Sequence, residues 1–126
     1  MLVDRVGVLK IDKDCHVDRH WREEYLRLII TICRRYDVKV VSVKSCNSEH
    51  KGVHYYIEIE PKVDADVANM LQYLCGDDCQ RVDHNRARIE RGLNEWSKLF
   101  EDPHRRLTTV YRHHSSGRNK TSKLRR

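Results

Sequence analysis

Apolar positions recur along the chain with two different periods. Between Trp21 and Tyr36 they fall at helical spacing, and Trp21, Tyr25, Leu28, Ile29, Ile32 and Tyr36 form one stripe. That stripe predicts an amphipathic helix. Asp18 stands where an N-cap belongs, Glu23 and Glu24 follow in the expected first turn, and Arg34 and Arg35 occupy the last, the arrangement a helix dipole favours. On either side the period changes to two. Val6–Ile11 and Val38–Ser45 are short runs rich in valine, and Val53–Glu60 alternates strictly. All three predict strands. The polar stretch Cys46–Gly52 predicts a hairpin loop, and Pro61 is expected to stop the third strand, because proline cannot donate to a ladder.

Further on, Val67, Met70, Leu71 and Leu74 form the stripe of a second helix, capped near Asp64 or Asp66 and stopped at Gly76. Cys79–Arg91 reads either as a charged helix ending at Gly92 or as an extended arm. Glu95–Phe100 predicts a last strand, and Pro103 marks a boundary. The order β-α-β-β-α-β is the split βαβ, ferredoxin-like pattern. It predicts an α+β fold with an antiparallel sheet in the order 4-1-3-2, both helices on one face and the other face open. Residues 1–103 form that domain, and residues 104–126 are expected to be a basic, disordered tail.

Alternation assigns the faces. Val53, Tyr55, Ile57 and Ile59 meet the helices, so His54, Tyr56, Glu58 and Glu60 point the other way. Leu9 and Ile11 are inward on the first strand, which turns Val8, Lys10, Asp12 and Asp14 outward. The first and third strands are expected to be antiparallel neighbours. The end of one then lies beside the start of the other, and Asp12 and Asp14 meet His54 on the open face.

Charge sharpens this picture. The chain has 126 residues and a net charge of +6. Residues 104–126 hold eight basic residues (Arg105, Arg106, Arg112, Arg118, Lys120, Lys123, Arg125 and Arg126) and no acid. Residues 1–103 carry 17 basic and 19 acidic residues, a net of −2, so the basicity belongs to the last segment. Such a segment is a handle for a phosphate backbone, and DNA or RNA is the expected partner. No apolar run approaches the ~18 residues that span a membrane, so no membrane partner is expected. The five cysteines (Cys15, Cys33, Cys46, Cys75 and Cys79) are odd in number and irregularly spaced. That pattern points to a reducing, cytoplasmic compartment. Cys75 and Cys79 lack a second Cys/His pair at zinc-site spacing, and no structural zinc is expected.

Two carboxylates one residue apart at a strand end make a seat for Mg²⁺ or Mn²⁺, hard cations that take oxygen ligands and retain waters for phosphate. His54 and Lys51 are then candidates to hold a nucleoside triphosphate. The same Asp-x-Asp composition also serves turns and helix caps, which is the alternative reading.

Val8-Leu9-Lys10-Ile11-Asp12-Lys13-Asp14 resembles the first motif of the archaeo-eukaryotic primase superfamily, in its plasmid or virus type. Ser45, followed by Lys51-Gly52-Val53-His54-Tyr55-Tyr56, resembles the second motif of that family, and Val82-Asp83 is the best match to the third. The resemblance covers Val6–Asp83 and implies a palm-like core. It further implies Asp12, Asp14 and Asp83 as metal ligands and Ser45 and His54 as nucleotide contacts; with the reading of the residues above, Asp12, Asp14 and His54 are the expected catalytic group, and Lys51 joins Ser45 and His54 at the nucleotide. A likeness of Lys51–Tyr56 to the stacking motif of RNA-recognition domains fails on geometry. The positions such domains expose are here Val53 and Tyr55, which alternation turns inward. Tyr56 alone is left to stack on a base.

The expected function is therefore nucleic-acid binding of a replication or mobile-element type, with metal-dependent, primase-like nucleotidyl transfer as its catalytic form. The alternatives are a non-catalytic accessory or regulatory module, or a protein-interaction domain that uses the open face.

Overall fold

The structure is a computed structural model that describes residues 3–13, 19–47, 52–99 and 105–114. In chain order these form β1 (Val6–Lys13), α1 (Arg19–Arg35), β2 (Lys39–Asn47), β3 (Val53–Val63), α2 (Ala65–Leu74), α3 (Cys79–Glu90) and β4 (Thr108–Arg112). The four strands make one antiparallel sheet in the order β1-β3-β2-β4. Asp14, Cys15, Asp18, Lys51, Phe100 and residues 115–126 lie outside the described residues.

β1 and β2 each run antiparallel to β3, which lies between them. They therefore run parallel to each other with α1 crossing between, the split βαβ connection. α1 packs on β2 and α2 on β1, on one face, while α3 packs against α2. The core between the layers holds Leu9, Ile11, Val43, Tyr55 and Ile57 from the sheet, and Tyr25, Ile29, Cys33, Ala68 and Leu71 from the helices. The period-two pattern drives this packing, since the odd-numbered residues of β3 point inward and the even-numbered ones outward.

On α1 the buried ladder is Tyr25, Ile29 and Cys33, four residues apart, whereas Leu28 and Tyr36 are 48% and 46% exposed. The sheet touches a narrower stripe than composition suggests. Glu23 and Glu24 stand one turn further in than expected, and Glu24 pairs with Arg27 at 2.7 Å. α2 starts after Asp64, whose backbone oxygen accepts the first helical hydrogen bond, from Ala68 at 2.9 Å. It ends with Gly76 at φ +94°, the left-handed turn that glycine makes cheaply. Cys79–Arg91 resolves to α3, capped by the Asp78 carboxylate, which accepts from the Gln80 amide at 3.1 Å, and closed by Gly92 at φ +76°.

Three expectations are corrected. Pro61 does not stop β3, which continues to Val63. Pro61 has no ladder partner on either neighbouring strand, so its missing N–H leaves no bond unmade. Glu95–Leu99 is not a strand, and the last strand is Thr108–Arg112, paired with β2 on the opposite edge from the one expected. The segment after residue 103 is thus not all tail. Its β-branched and aromatic run Thr108-Thr109-Val110-Tyr111 completes the sheet, and Val110 and Tyr111 pack on the core.

Side-chain chemistry explains why, among the described residues, no strand lies on the outer edge of β1. The outward backbone groups of that edge are already engaged. The Lys10 amide donates to Gln72 Oε1 at 3.0 Å and the Asp12 amide to Asp77 Oδ1 at 3.0 Å. Arg81 Nη2 donates to the Lys10 carbonyl at 3.2 Å. Arg81 also pairs with Asp77 at 3.1 Å and donates to Ser97 Oγ at 3.1 Å and the Lys98 carbonyl at 2.8 Å. Gln72 is fully buried and donates to Ser97 Oγ at 3.1 Å. A buried polar cluster from α2, α3 and the 94–99 segment therefore occupies the positions a neighbouring strand would take, and it protects the edge.

Candidate nucleic-acid interface

The sheet face away from α1 and α2 is organised in cross-strand rows. Asp12, His54 and Cys46 form one row. Lys10, Tyr56, Lys44 and Thr109 form the next, and Val8, Glu58, Ser42 and Arg112 the third. Opposite residues in such rows have Cβ atoms only ~5 Å apart, so each row acts as one strip of chemistry.

In the first row His54 Nε2 lies 3.3 Å from Asp12 Oδ1, with the histidine side chain 7% exposed and the aspartate 34%. The convergence expected from alternation holds for this pair. Asp83 and Ser45 of the primase-like set are placed elsewhere. Asp83 lies on α3, 3.7 Å from Arg86, and lines a groove with Asp66, Met70 and Tyr73 of α2. Ser45 partners Tyr55 and so faces the helices, on the opposite side of the sheet from His54. Asp14 and Lys51 lie outside the described residues. Among the described residues no three His, Cys, Asp or Glu side chains gather as a cation site requires.

The second row is cationic and aromatic. Tyr56 stands between Lys10 of β1 and Lys44 of β2. The Arg105 guanidinium lies over its ring, 5.8 Å from the centroid, within cation–π range. Beside this row opens a cleft of about 630 Å³ between the edge of β1 and the 94–99 segment. Lys10, Tyr56, Arg105, Glu95, Trp96 and Lys98 are among the residues that line it. Burial holds the Lys10 amine below its ordinary value, and the nearby Arg81 and Arg105 cations push it the same way against Glu95. Burial therefore dominates the crowding of the amine, with like charge from Arg81 and Arg105 added to it and the Glu95 carboxylate set against it.

That crowding has a measurable sign. The folded-state pKa of Lys10 lies below the unfolded value of 10.5, so the charged lysine opposes folding at neutral pH. The opposition fades as pH rises from the folded value towards the unfolded one. Lys10→Met should raise the thermal midpoint at pH 7, and the gain should shrink in a series extended towards pH 10. A variant less stable than wild type at pH 7, or a gain constant with pH, contradicts the crowding.

Of the basic residues singled out in the last segment, Arg105, Arg106 and Arg112 are described, and Arg112 lies in β4 opposite Ser42 on the open face. Arg118, Lys120, Lys123, Arg125 and Arg126 lie outside the described residues. Two features were missed in the sequence. Lys44 carried a signal, since alternation along β2 places it on one face with Ser42 and Cys46 once the pairing with β3 is known. The approach of Arg105 to Tyr56 carried none, because it depends on where the chain crosses after residue 99. The cysteines divide by environment. Cys33 and Cys75 are buried together in the core, whereas Cys79 is exposed at the start of α3. A hydrogen bond to Cys33, reinforced by burial, drives the Cys75 thiol far above its ordinary range.

Comparison with known proteins returned no match: no family model fits the chain, and no curated protein or solved structure is similar to it. No helix among the described residues is long and apolar enough to cross a membrane.

Proposed function

We propose that the protein binds single-stranded nucleic acid, DNA or RNA, across the open face of its sheet. The observation that carries this reading is the row Lys10-Tyr56-Lys44 with Arg105 over the tyrosine ring. An aromatic face set among cations takes an unpaired base on the ring and phosphates on either side. A duplex keeps its base faces stacked internally and has none to offer. The β1-α1-β2-β3 unit is read as a ferredoxin-like, palm-like core whose fourth strand has moved to the far edge. An intracellular, reducing setting belongs to the same proposal, supported by the free thiols of Cys33, Cys46, Cys75 and Cys79.

The primase-like reading retains one supporting observation, the contact between Asp12 and His54. The separate positions of Asp83 and Ser45 leave its donor set incomplete among the described residues. No step is therefore routed through a divalent cation or a nucleoside triphosphate, and the non-catalytic binding module is the reading adopted. Calorimetric titration of wild type and Asp12→Asn with Mn²⁺ separates the two. Saturable binding lost in the variant restores the catalytic form.

The binding reading is tested by fluorescence anisotropy with labelled oligonucleotides. Tyr56→Leu should lose about 1–3 kcal/mol of affinity for a single strand, the worth of one stacked base. Lys44→Met should also weaken binding and reduce the salt slope by about 0.7, the single-strand value for one phosphate contact. Tighter binding of duplex than of single strand, or unchanged affinity in Tyr56→Leu, refutes the reading.

A further inference from the structure

We propose that the cleft beside β1 is a subsite for one phosphate-bearing nucleotide, with its base on Tyr56 and its phosphate between Lys10 and Arg105. This rests on the nucleic-acid reading above and assigns that interface a defined pocket.

The cleft brings three requirements together. Its volume of about 630 Å³ is ample for one nucleotide, within the ~300–1,000 Å³ usual for ligand pockets. Tyr56 supplies a flat apolar surface on one wall. Lys10, the cross-strand neighbour of Tyr56, and Arg105, over its ring, supply positive charge beside it, and Lys98 is also in the lining. Arg81, the other cation near Lys10, is already engaged by Asp77, Ser97 and the carbonyls of Lys10 and Lys98. A phosphate entering the cleft therefore meets Lys10 and Arg105 as its cationic partners, beside the Glu95 carboxylate that shares the lining. Nothing smaller than a nucleotide satisfies both halves of the site. A nucleoside leaves the cations unneutralised, and inorganic phosphate leaves the ring uncovered.

Arg105 has a second part in this arrangement. Its guanidinium lies over the ring face of Tyr56, the surface a base would use. Entry of a base moves the guanidinium off the ring, and the phosphate of the same ligand is the anion that receives it. Arg105 thus lowers the affinity for a bare nucleoside and raises it for a nucleotide. Removing it should move the two affinities in opposite directions, an outcome that neither general charge loss nor damage to the fold produces.

The test is isothermal titration calorimetry of the full chain with adenosine 5′-monophosphate, adenosine and inorganic phosphate, beside an oligonucleotide on the same preparation. The monophosphate should saturate with a Kd on the order of 1 mM or tighter, with adenosine and phosphate each at least about tenfold weaker. Lys10→Met should lose that preference for the monophosphate, Tyr56→Leu should lose both adenine ligands, and Lys39→Met, outside the cleft, should match wild type. Arg105→Ala should bind adenosine more tightly than wild type and the monophosphate more weakly. A 5′-phosphorylated dinucleotide that binds more tightly than the monophosphate assigns the subsite to a strand end, and equal affinity assigns it to a free nucleotide. An oligonucleotide that binds through Tyr56 while the monophosphate does not bind overturns the subsite and leaves the interface standing. Failure of both ligands overturns both. Equal affinity for monophosphate and adenosine, or an Arg105→Ala variant weakened towards both, also overturns the subsite.

Discussion

Replacing Arg81 by methionine is expected to lower the free energy of unfolding by about 3–5 kcal/mol, the range for removing one partner of a buried ion pair. The Asp77 side chain is 0% exposed and the Arg81 side chain 14%, at 3.1 Å. The substitution leaves a buried carboxylate without its cation, together with a backbone carbonyl of β1 and Ser97 Oγ without their guanidinium donor. A double variant, Asp77→Asn with Arg81→Met, carries no unpaired charge and should recover part of the loss. Denaturant unfolding of the single and double variants measures both effects. A single-variant loss below about 1 kcal/mol would place the pair among surface bridges of little worth and remove the explanation given for the protected edge of β1.

Truncation gives the second large effect, and its size depends on where the chain is cut. A chain ending at residue 114 should keep the thermal midpoint of the full protein, because β4 and the hydrogen bond that the His113 amide donates to the Val41 carbonyl are retained. A chain ending at residue 104 loses β4, uncovers the outer edge of β2 and strips Val110 and Tyr111 from the core. At roughly 1.5–3 kcal/mol for a fully buried side chain, and less for these partly buried ones, a loss of about 3 kcal/mol is expected once the ladder bonds are added. In binding assays the chain ending at residue 114 should keep the Tyr56 and Arg105 contributions, and the chain ending at residue 104 should lose that of Arg105. Equal stability of the two truncated chains would mean that β4 adds nothing to the sheet.

Local pattern made much of this fold legible. The strict alternation from Val53 to Glu60 places His54 and Tyr56 outward and Tyr55 and Ile57 inward, as found. From that alternation and an antiparallel neighbour, Asp12 could be set beside His54. Gly76 and Gly92 marked the ends of α2 and α3, where the chain takes a positive φ, whereas Asp37 does the same after α1 without a glycine to mark it. What stayed hidden depends on contacts distant in sequence. Asn69, Gln72 and Asn85 are buried, yet as polar residues they interrupt an apolar stripe and count against it. They are buried because Asn69 Nδ2 donates to the Val82 carbonyl at 3.1 Å, Asn85 Nδ2 to Asn69 Oδ1 at 3.1 Å, and Gln72 serves β1. The last strand was misplaced for a related reason. Glu95–Phe100 has the apolar content of a strand, but the edge it would join is occupied by side chains, while the charge around Thr108–Arg112 masked a short β-branched run. For the site, the face was readable, but the primase-like set of Asp83 and Ser45 was not, since short motifs say nothing about which side of a sheet or helix a residue takes.

The position of β4 also sets an order in time. During synthesis β2 and β3 emerge close together and can pair as a hairpin, and β1 is already available to join β3 from the other side. The outer edge of β2 has no such early partner. Its N–H and C=O groups wait for residues 108–112, more than sixty positions behind, while the chain lengthens at about 5–20 residues per second. Once residues 72–98 have emerged, the nascent protein has one sheet edge sealed by its own side chains and one open. The open edge is the side from which a chaperone or a second nascent chain can capture it.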